Sequence, residues 1–299
     1  MRLIKPSFEI WDQQEGLEGI YKQIERCGRV CYASDPVEGK AKDFVDRMIK
    51  LGHGAMLEHS TLYLIERWKK DTNIVPKYDY NPYSKVIIRN HEGETWKYIT
   101  TNYRVLAEND WMNDLQYLCE PTEFHEKRVT VHFVCDRGVS HEFVRHRVMS
   151  FAQESTRYCN YSKDKFGNEL TFILPPWVDE RQLGEQNSQE LLIQMGSLSN
   201  PTYTQEDLNE LYFLFSLASS EVQYFNLINN GWKPQQARAV LPNSLKTELV
   251  MTGFVSDWKR FFRLRSRIAK TGKPHPQAQE LADPLMDEFV KRGIMETLL

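Results

Sequence analysis

The sequence predicts an α+β fold, with helices and a mixed sheet in a single domain that covers residues 1–299. Helical and strand-like patterns both occur, but they do not alternate regularly as they do in a doubly wound α/β protein. The length alone allows one large domain or two smaller ones. The composition, with 41% hydrophobic and 26% charged residues, is typical of a globular protein.

Two amphipathic segments lie near the start of the chain, at residues 16–33 and 40–51. In the second segment Phe44, Met48 and Leu51 recur at the spacing that places side chains on one face of a helix. Both segments are therefore predicted to be amphipathic helices.

The next part of the chain predicts strands and a polar excursion. Residues 52–65, GHGAMLEHSTLYLI, are predicted to form a glycine-broken loop that leads into a short strand. Residues from about 67 to 95 are polar, contain prolines and tyrosines, and predict an excursion on the surface. In VTVHFV the residues Val129, Val131 and Phe133 alternate on one face, which predicts a half-buried strand.

The C-terminal part is predicted to be mainly helical. A second polar excursion, roughly 178–204, precedes a long helix over about 205–229, which Asn230 and Gly231 end. Two more helices are predicted near residues 257–269 and 276–292.

The stretch RHRVMSFAQESTRY, residues 145–158, contains three arginines. Arginine is rarely buried without a partner, and like charges this close repel one another. Ser140 is predicted to cap a helix that continues into this stretch. The apolar stripe of that helix comprises Val144, Val148 and Phe151. On it Arg145 and Arg147 lie about 200° apart, so either two ligands meet here or one extended ligand wraps the helix end.

The residues that follow this predicted helix suit a phosphate. Ser155, Thr156 and Arg157 offer hydroxyl groups, backbone N–H groups and a guanidinium, all of which can hydrogen-bond phosphate oxygens. A solvated basic helix end is the alternative interpretation.

A further arginine, Arg265, is predicted to face the interior. Ser256 is expected to cap a helix, and Arg265 falls in the centre of its apolar face. That face comprises Trp258, Phe261, Phe262, Ile268 and Ala269, and the solvated face carries Arg260, Arg263 and Arg267. A guanidinium that faces the interior needs an acceptor, so Arg265 either forms a structural ion pair or contacts a ligand.

Charge and cysteine content narrow the functional classes. The formal net charge of −3 argues against a general polyanion binder, so neither nucleic acid nor a membrane is the expected partner. We expect neither a signal peptide nor a membrane span, because no apolar run is long enough. Five cysteines, an odd and scattered set, predict reduced thiols in a cytoplasmic setting.

Three blocks of sequence carry a family resemblance. The most specific is RHR at residues 145–147, followed after seven residues by Ser155 and then by Arg157-Tyr158. The other blocks are HGAMLEH at 53–59, and QARAVLPNSLKT at 236–247 with FFRLR at 261–265. In this order the blocks resemble the flavin-dependent thymidylate synthase family. The resemblance covers roughly residues 40–65, 127–176 and 225–285.

The resemblance implies an enzyme that makes dTMP from dUMP. Methylenetetrahydrofolate would be the carbon donor, FAD the redox carrier and NADPH the reductant. It further implies a homotetramer whose active sites lie between subunits. Because FAD and dUMP are both phosphate esters, the opposed Arg145 and Arg147 can serve one ligand each.

The resemblance also assigns roles position by position. Cofactor contacts are implied for Arg145, His146, Arg147, Gln153, Glu58 and Arg260. Contacts with dUMP are implied for Glu142, Arg145, Gln153, Glu154, Ser155, Thr156, Arg157, Arg238 and Arg265. Arg265 would act catalytically at the uracil edge, where it favours ionisation at N3 and activates C5. His53 would act beside Glu58 in the flavin and folate space, and no metal is implied.

Some positions depart from the family pattern. Glu142 stands where a glutamine is usual, and Ala152-Gln153 replace an asparagine–glutamate pair. Residues that stand where the family usually has two asparagines and an arginine are Phe254, Ser256 and Arg260. Arg260 is a candidate to hold the FAD pyrophosphate in place of the missing amides. The departures also leave open a non-catalytic homologue that binds nucleotide.

Other functional classes fit the sequence less well. Cys159 lacks the context of a classical thymidylate synthase nucleophile, and Ser155 lies outside any G-x-S-x-G motif of a hydrolase. His53, Glu58 and His59 lack the H-E-x-x-H spacing of a metal site. An arginine-rich nucleic-acid binder is a further alternative, opposed by the acidic balance and the lack of an RRM, KH or helix-turn-helix pattern.

Overall fold

The structure, a computed structural model, describes residues 1–68, 77–91, 93–195 and 204–298. The strands in these ranges are β1 (Arg2–Ile4), β2 (Ser7–Trp11), β3 (Leu62–Trp68), β4 (Lys85–His91), β5 (Glu94–Thr101), β6 (Arg128–Asp136), β7 (Ser150–Gln153), β8 (Thr171–Ile173), β9 (Gly184–Glu185) and β10 (Lys246–Phe254). The helices are α1 (Gly16–Val30), α2 (Ala41–Lys50), α3 (Gly54–Leu57), α4 (Tyr103–Glu108), α5 (Arg137–Phe143), α6 (Ser188–Met195), α7 (Gln205–Asn229), α8 (Pro234–Ala237), α9 (Val255–Arg265) and α10 (Pro276–Lys291). The predicted α+β class is confirmed.

A four-stranded antiparallel sheet in the order β2-β6-β10-β7 forms the centre of the fold. The predicted alternation is confirmed, because Val131 and Phe133 are fully buried on β6. Helices α9 and α10 cover this face with a cluster of aromatic side chains. The largest of them are Trp258, Phe261, Phe262 and Phe289. Because β10 pairs with both β6 and β7, it fixes the position of the RHR stretch relative to α9.

A second antiparallel sheet has the order β3-β5-β4. It packs on α1, α2 and α4 through a separate apolar cluster. Within the predicted surface excursion at 67–95, residues 85–91 form a mostly exposed strand paired with β5. Main-chain pairing stabilises β4 although most of its side chains are polar and partly exposed. Residues 69–76 and 92 of that prediction lie outside the described residues.

The third sheet, β8-β1-β9, packs against the long helix α7. The predicted helix over 205–229 and its end are confirmed, with Thr204 and Asp207 in a capping box and Gly231 at a φ of 89°. The polar excursion at 178–204 contains β9 and α6. Its residues 196–203 lie outside the described ranges.

The helices predicted at 16–33, 40–51, 257–269 and 276–292 are confirmed with shifted ends, and the glycine-broken loop contains the short helix α3. Helix α9 begins at Val255, two residues earlier than predicted, and its N-cap is Phe254 instead of Ser256. The Asp257 carboxylate accepts a hydrogen bond from the Phe254 N–H at 3.2 Å, which accounts for this start. In the described part of the chain, no helix has the length and hydropathy needed to cross a membrane.

Candidate active site

The segment between β6 and β7 carries the RHR stretch, and its backbone differs from the predicted helix. Helix α5 ends at Phe143, so Arg145 and Arg147 lie in the turns that follow it, not on opposite faces of a helix. The N-cap is Asp136, whose carboxylate accepts from the Val139 N–H at 2.8 Å. The prediction of a helix capped by Ser140 that runs through Phe151 is therefore wrong.

Tertiary pairing explains this outcome. Phe151, the last residue of the predicted apolar stripe, lies in β7, where it pairs with Met251 and its neighbour Ala152 pairs with Val250 on β10. Ser140 donates to the Arg137 carbonyl at 2.8 Å, within α5. Burial of Ala152 against β10 and α1 outweighs the local helical pattern.

The turns bring two arginines and one histidine to a pocket of about 160 Å³. Arg145, His146 and Arg147 line it together with Arg260 of α9. The other lining residues are Met149, Asp257 and Leu264. We call this the arginine pocket. Three guanidiniums around one carboxylate leave a net positive charge, which suits an anionic ligand.

Arg265, the last residue of α9, lies beside the arginine pocket and is held by two neighbours. Its Nε–H donates to Nε2 of His146 at 3.0 Å. Its Nη1 forms an ion pair with the Glu142 carboxylate, and its Nη2 donates to the Glu142 carbonyl at 3.2 Å. The predicted position in the centre of an apolar face is wrong, because the side chain sits at the helix end and is 20% exposed.

His146 is buried where the turns after α5 pack against helix α9. Its ring packs edge-on against Phe261 with centroids 5.0 Å apart. Burial, with the positive charges of Arg265 and Arg260, lowers the pKa of His146 to about 4. The ring is therefore neutral at neutral pH.

The loop after β7 holds the predicted phosphate-binding residues. The Ser155 N–H donates to the Cys31 carbonyl at 3.1 Å, which ties the loop to the end of α1. Arg238 lies beside this loop, with Nη1 3.4 Å from the Thr156 hydroxyl. Arg157 is exposed and lies over the ring of Tyr158. The structure thus places Arg238 beside the Thr156 hydroxyl and leaves the neighbouring Arg157 exposed.

A partly buried ionic chain that the sequence analysis missed lies next to this loop. Lys246 contacts Glu154 at 2.9 Å and Glu248 at 2.5 Å, and Glu248 also contacts His132 at 2.9 Å. The Tyr161 hydroxyl donates to Glu154 at 3.0 Å. The contacts with His132 and Lys246 lower the pKa of Glu248 to about 2. The available signal was the spacing of two between Lys246 and Glu248, which places both on one face of a strand.

Three other predicted site residues lie outside the arginine pocket. Gln153 donates to the hydroxyls of Ser140 at 2.8 Å and Thr247 at 3.3 Å. His53 is exposed at the start of α3, whereas Glu58 is buried at its end and forms an ion pair with Arg104. His53 and Glu58 are therefore close in sequence but differ in environment.

The positions that depart from the family pattern also differ in environment. Ala152 and Phe254 are buried, and the Phe254 ring lies 5.6 Å from the guanidinium carbon of Arg128. Ser256 is exposed, and its N–H donates to Glu126 at 3.1 Å. Of these positions, Arg260 alone lines the arginine pocket.

The alternative nucleophiles lack a suitable environment. Cys159 is fully buried, and burial raises the pKa of its thiol to about 11, which keeps it protonated. The Ser155 hydroxyl accepts from the Arg157 N–H at 3.3 Å and has no histidine partner in the described part of the chain. All five cysteines are free. Within the described ranges, no group of three or more histidine, cysteine, aspartate or glutamate side chains is placed to hold a metal ion.

Comparison with known proteins places the chain in a family. Residues 87–292, more than half of the chain, match the sequence model of the family described as thymidylate synthase complementing protein. A flavin-dependent thymidylate synthase of Mycobacterium avium is 32% identical over 130 residues, 44% of this chain and 46% of that protein. Another from Pyrococcus furiosus is 25% identical over 167 residues, 55% of each chain. The chain thus spans about half the length of these curated relatives.

A solved structure was also matched, that of the UMP/dUMP methylase PolB from Streptomyces cacaoi bound with 5-Br dUMP. The TM-score is 0.41 at 15% identity, with 97% of this chain and 93% of that chain covered. The sequence match to the family model is the decisive result, and it confirms the resemblance seen in the RHR block. The chain belongs to the thymidylate synthase complementing protein family.

Proposed function

We propose that the protein is a flavin-dependent thymidylate synthase, which converts dUMP to dTMP with methylenetetrahydrofolate as carbon donor and NADPH as reductant. The arginine pocket and the adjoining Arg265 carry this proposal, because three guanidiniums line one pocket and a fourth contacts its histidine, which suits anionic ligands. Membership of the family supports it.

The residues of the arginine pocket fit FAD. Arg145, Arg147 and Arg260 supply three cations, and a pyrophosphate carries the charge that would balance them. Arg260 is exposed at the pocket edge, consistent with a contact that replaces the amides usual in the family. When bound, the flavin supplies the redox chemistry, and the chain orients it through these side chains.

The loop after β7 fits the phosphate of dUMP. Arg157 and Arg238 are both exposed, the Thr156 hydroxyl lies beside Arg238, and the Ser155 hydroxyl accepts from the Arg157 N–H. Glu154 is buried in its ion pair with Lys246, so we assign it the role of holding the loop in place. Gln153, hydrogen-bonded to Ser140, would form the edge of the nucleotide site nearest α5.

Arg265 would act on the pyrimidine. Its guanidinium has five N–H groups, of which three are used by Glu142 and His146, so two remain for an acceptor. A base edge that gains negative charge at N3 or a neighbouring carbonyl would receive these hydrogens. An interaction that strengthens as charge develops lowers the barrier to reaction at C5.

His53 and Glu58 would lie on the flavin and folate side of the site. His53 is exposed in one chain, as are Arg145, Arg147, Arg157 and Arg238. Exposure of so many basic side chains is consistent with completion of the site by a second copy of the chain. We therefore extend the proposal to a cytoplasmic homotetramer in which residues 1–299 form one catalytic domain and active sites lie between subunits.

The test is release of tritium from dUMP labelled at C5, with FAD, methylenetetrahydrofolate and NADPH supplied together or omitted singly. We expect release only when FAD is present, together with an oxidised-flavin spectrum of the purified or reconstituted protein. Release that continues after complete removal of FAD would refute the proposal. Binding of dUMP and FAD without turnover would instead identify a non-catalytic homologue. Steep salt dependence of oligonucleotide binding would identify a nucleic-acid binder.

A further inference from the structure

The hydrogen bond between Arg265 and His146 determines which ring nitrogen of the histidine carries a proton. An arginine Nε–H is always a donor, so Nε2 of His146, at 3.0 Å, must accept with its lone pair. A neutral imidazole that accepts at Nε2 carries its hydrogen on Nδ1. The contact therefore excludes both the imidazolium and the other tautomer for as long as it persists.

The second ring nitrogen of His146 is accessible to solvent, and the residue lines the arginine pocket. Nδ1 of His146 has no hydrogen-bond partner in the described part of the chain, and it is not among the buried unpaired atoms. The residue itself lines the pocket, between Arg145 and Arg147 in sequence. A single uncharged donor is thus placed among three cations and the carboxylate of Asp257.

We propose that Arg265 holds His146 as the Nδ1–H tautomer, so that His146 donates an uncharged hydrogen bond to an oxygen of the ligand in the arginine pocket. The proposal rests on the assignment of that pocket to FAD. Arg265 then acts on both ligands, directly on the pyrimidine and, as a positioning residue, on the cofactor through His146. The two subsites are coupled because one guanidinium is the donor in the pyrimidine subsite and orients the donor of the cofactor subsite.

The pKa of His146, which is lowered to about 4, supports this role because the ring stays neutral across the physiological pH range. Glu142 contributes as well, since its carboxylate and its carbonyl fix the guanidinium from the side opposite His146. Removal of the Glu142 charge alone should leave the Nε–H bond in place.

The first experiment measures the tautomer by ¹⁵N NMR of the histidine ring in the full chain without flavin, at about pH 7.5. We expect a protonated Nδ1 and an unprotonated Nε2 for His146 in the native protein and in Glu142→Gln. Arg265→Leu should shift the ring toward the Nε2–H form, whereas Arg263→Leu, an exposed arginine of the same helix, should not. A native Nε2–H ring, or no change in Arg265→Leu, would overturn the proposal.

The second experiment compares two replacements of His146 by FAD titration. The side-chain N–H₂ of asparagine occupies the place of Nδ1, and the end group of glutamine occupies that of Nε2. Both variants lack the imidazole ring that packs on Phe261. His146→Asn should keep the native affinity within about threefold, and His146→Gln should bind FAD roughly 10- to 100-fold more weakly. Equal affinities, or the reverse order, would contradict the proposal.

Two smaller probes identify the accepting oxygen. If it belongs to a phosphate, His146→Gln should weaken the binding of ADP, and if it is a ring carbonyl, the binding of riboflavin. If His146→Gln binds both ADP and riboflavin as tightly as the native protein does, the donor role is contradicted. A native protein that binds no FAD would refute the proposed function, whereas the NMR result stands without flavin and tests the tautomer by itself.

Discussion

The guanidinium of Arg265 has an acceptor at each of its three nitrogens. His146 accepts at Nε, and Glu142 accepts at Nη1 and Nη2 through its carboxylate and its carbonyl. The pair with Glu142 is partly exposed, at 20% for the arginine and 33% for the glutamate, so its contribution to stability is modest. The planar geometry is the property that matters, because it presents the two unused N–H groups in a fixed direction.

We predict that Arg265→Lys reduces kcat by about 100-fold or more. The lysine ammonium can still donate to Nε2 of His146, so FAD should stay bound and the fold should survive. It cannot also hold Glu142 at two positions and present a pair of parallel N–H groups. The measurement is steady-state tritium release from labelled dUMP.

The matched control for this variant is Arg263→Lys, since Arg263 is exposed on the same helix. We expect it to have native kcat. Turnover close to native in Arg265→Lys would mean that Arg265 is only a structural ion-pair partner of Glu142.

At the scale of elements, strand β10 connects the two halves of the candidate site. Its register places Leu249 opposite both Phe133 of β6 and Gln153 of β7. Its first residue, Lys246, links β10 to the loop after β7 through Glu154. The side chain of Glu154 is 2% exposed and that of Lys246 20% exposed, so the pair is largely shielded from water.

We predict that Lys246→Met lowers the free energy of unfolding by about 3–5 kcal/mol, the usual effect of removing one partner of a buried ion pair. Two carboxylates, Glu154 and Glu248, would lose their shared cation. The measurement is denaturation by urea, analysed with one common slope of unfolding free energy against urea concentration for all variants.

The corresponding surface variant is Lys291→Met. The Lys291 side chain is 79% exposed and contacts Glu288 at 3.3 Å, so we expect a change within about 0.5 kcal/mol. If the two variants are equally stable, the ionic chain does not hold the loop.

At the scale of the whole molecule, buried histidines predict how stability depends on pH. Burial, with the charge of Arg128, lowers the pKa of His59 to about 3, and His146 has a pKa of about 4. Both groups titrate near 6.5 when unfolded. As the pH falls below that value the unfolded chain takes up protons that the folded chain does not, so these histidines contribute stability that is present above pH 6.5 and lost below it.

We therefore predict that the free energy of unfolding falls with pH below about 6.5, by about 1.4 kcal/mol per pH unit for each fully titrating histidine. Urea denaturation at several pH values from about 8 to 5 measures it. His59→Gln should reduce the slope of unfolding free energy against pH, because about one proton fewer is taken up on unfolding. His141→Gln, which replaces an exposed histidine, should follow the native curve. An unchanged slope in His59→Gln would show that His59 is not held neutral in the fold.

The sequence by itself determined the features that depend on local pattern and on motif. The α+β class, helix α7 with its end at Asn230 and Gly231, and the alternation of β6 all follow from spacing and local pattern. The family was also evident from the RHR block, because the motif order is specific, and the match over residues 87–292 confirmed it.

Only the tertiary structure decided what the residues of these motifs contact. Phe151 continues the apolar stripe of the predicted helix, yet residues 150–153 form a strand because β10 offers them backbone partners and a buried face. Arg265 meets Glu142 and His146, which lie more than a hundred positions away in the chain. The charge and hydrogen-bonding state of a side chain depend on neighbours that the fold brings together, and spacing along one element carries no information about them.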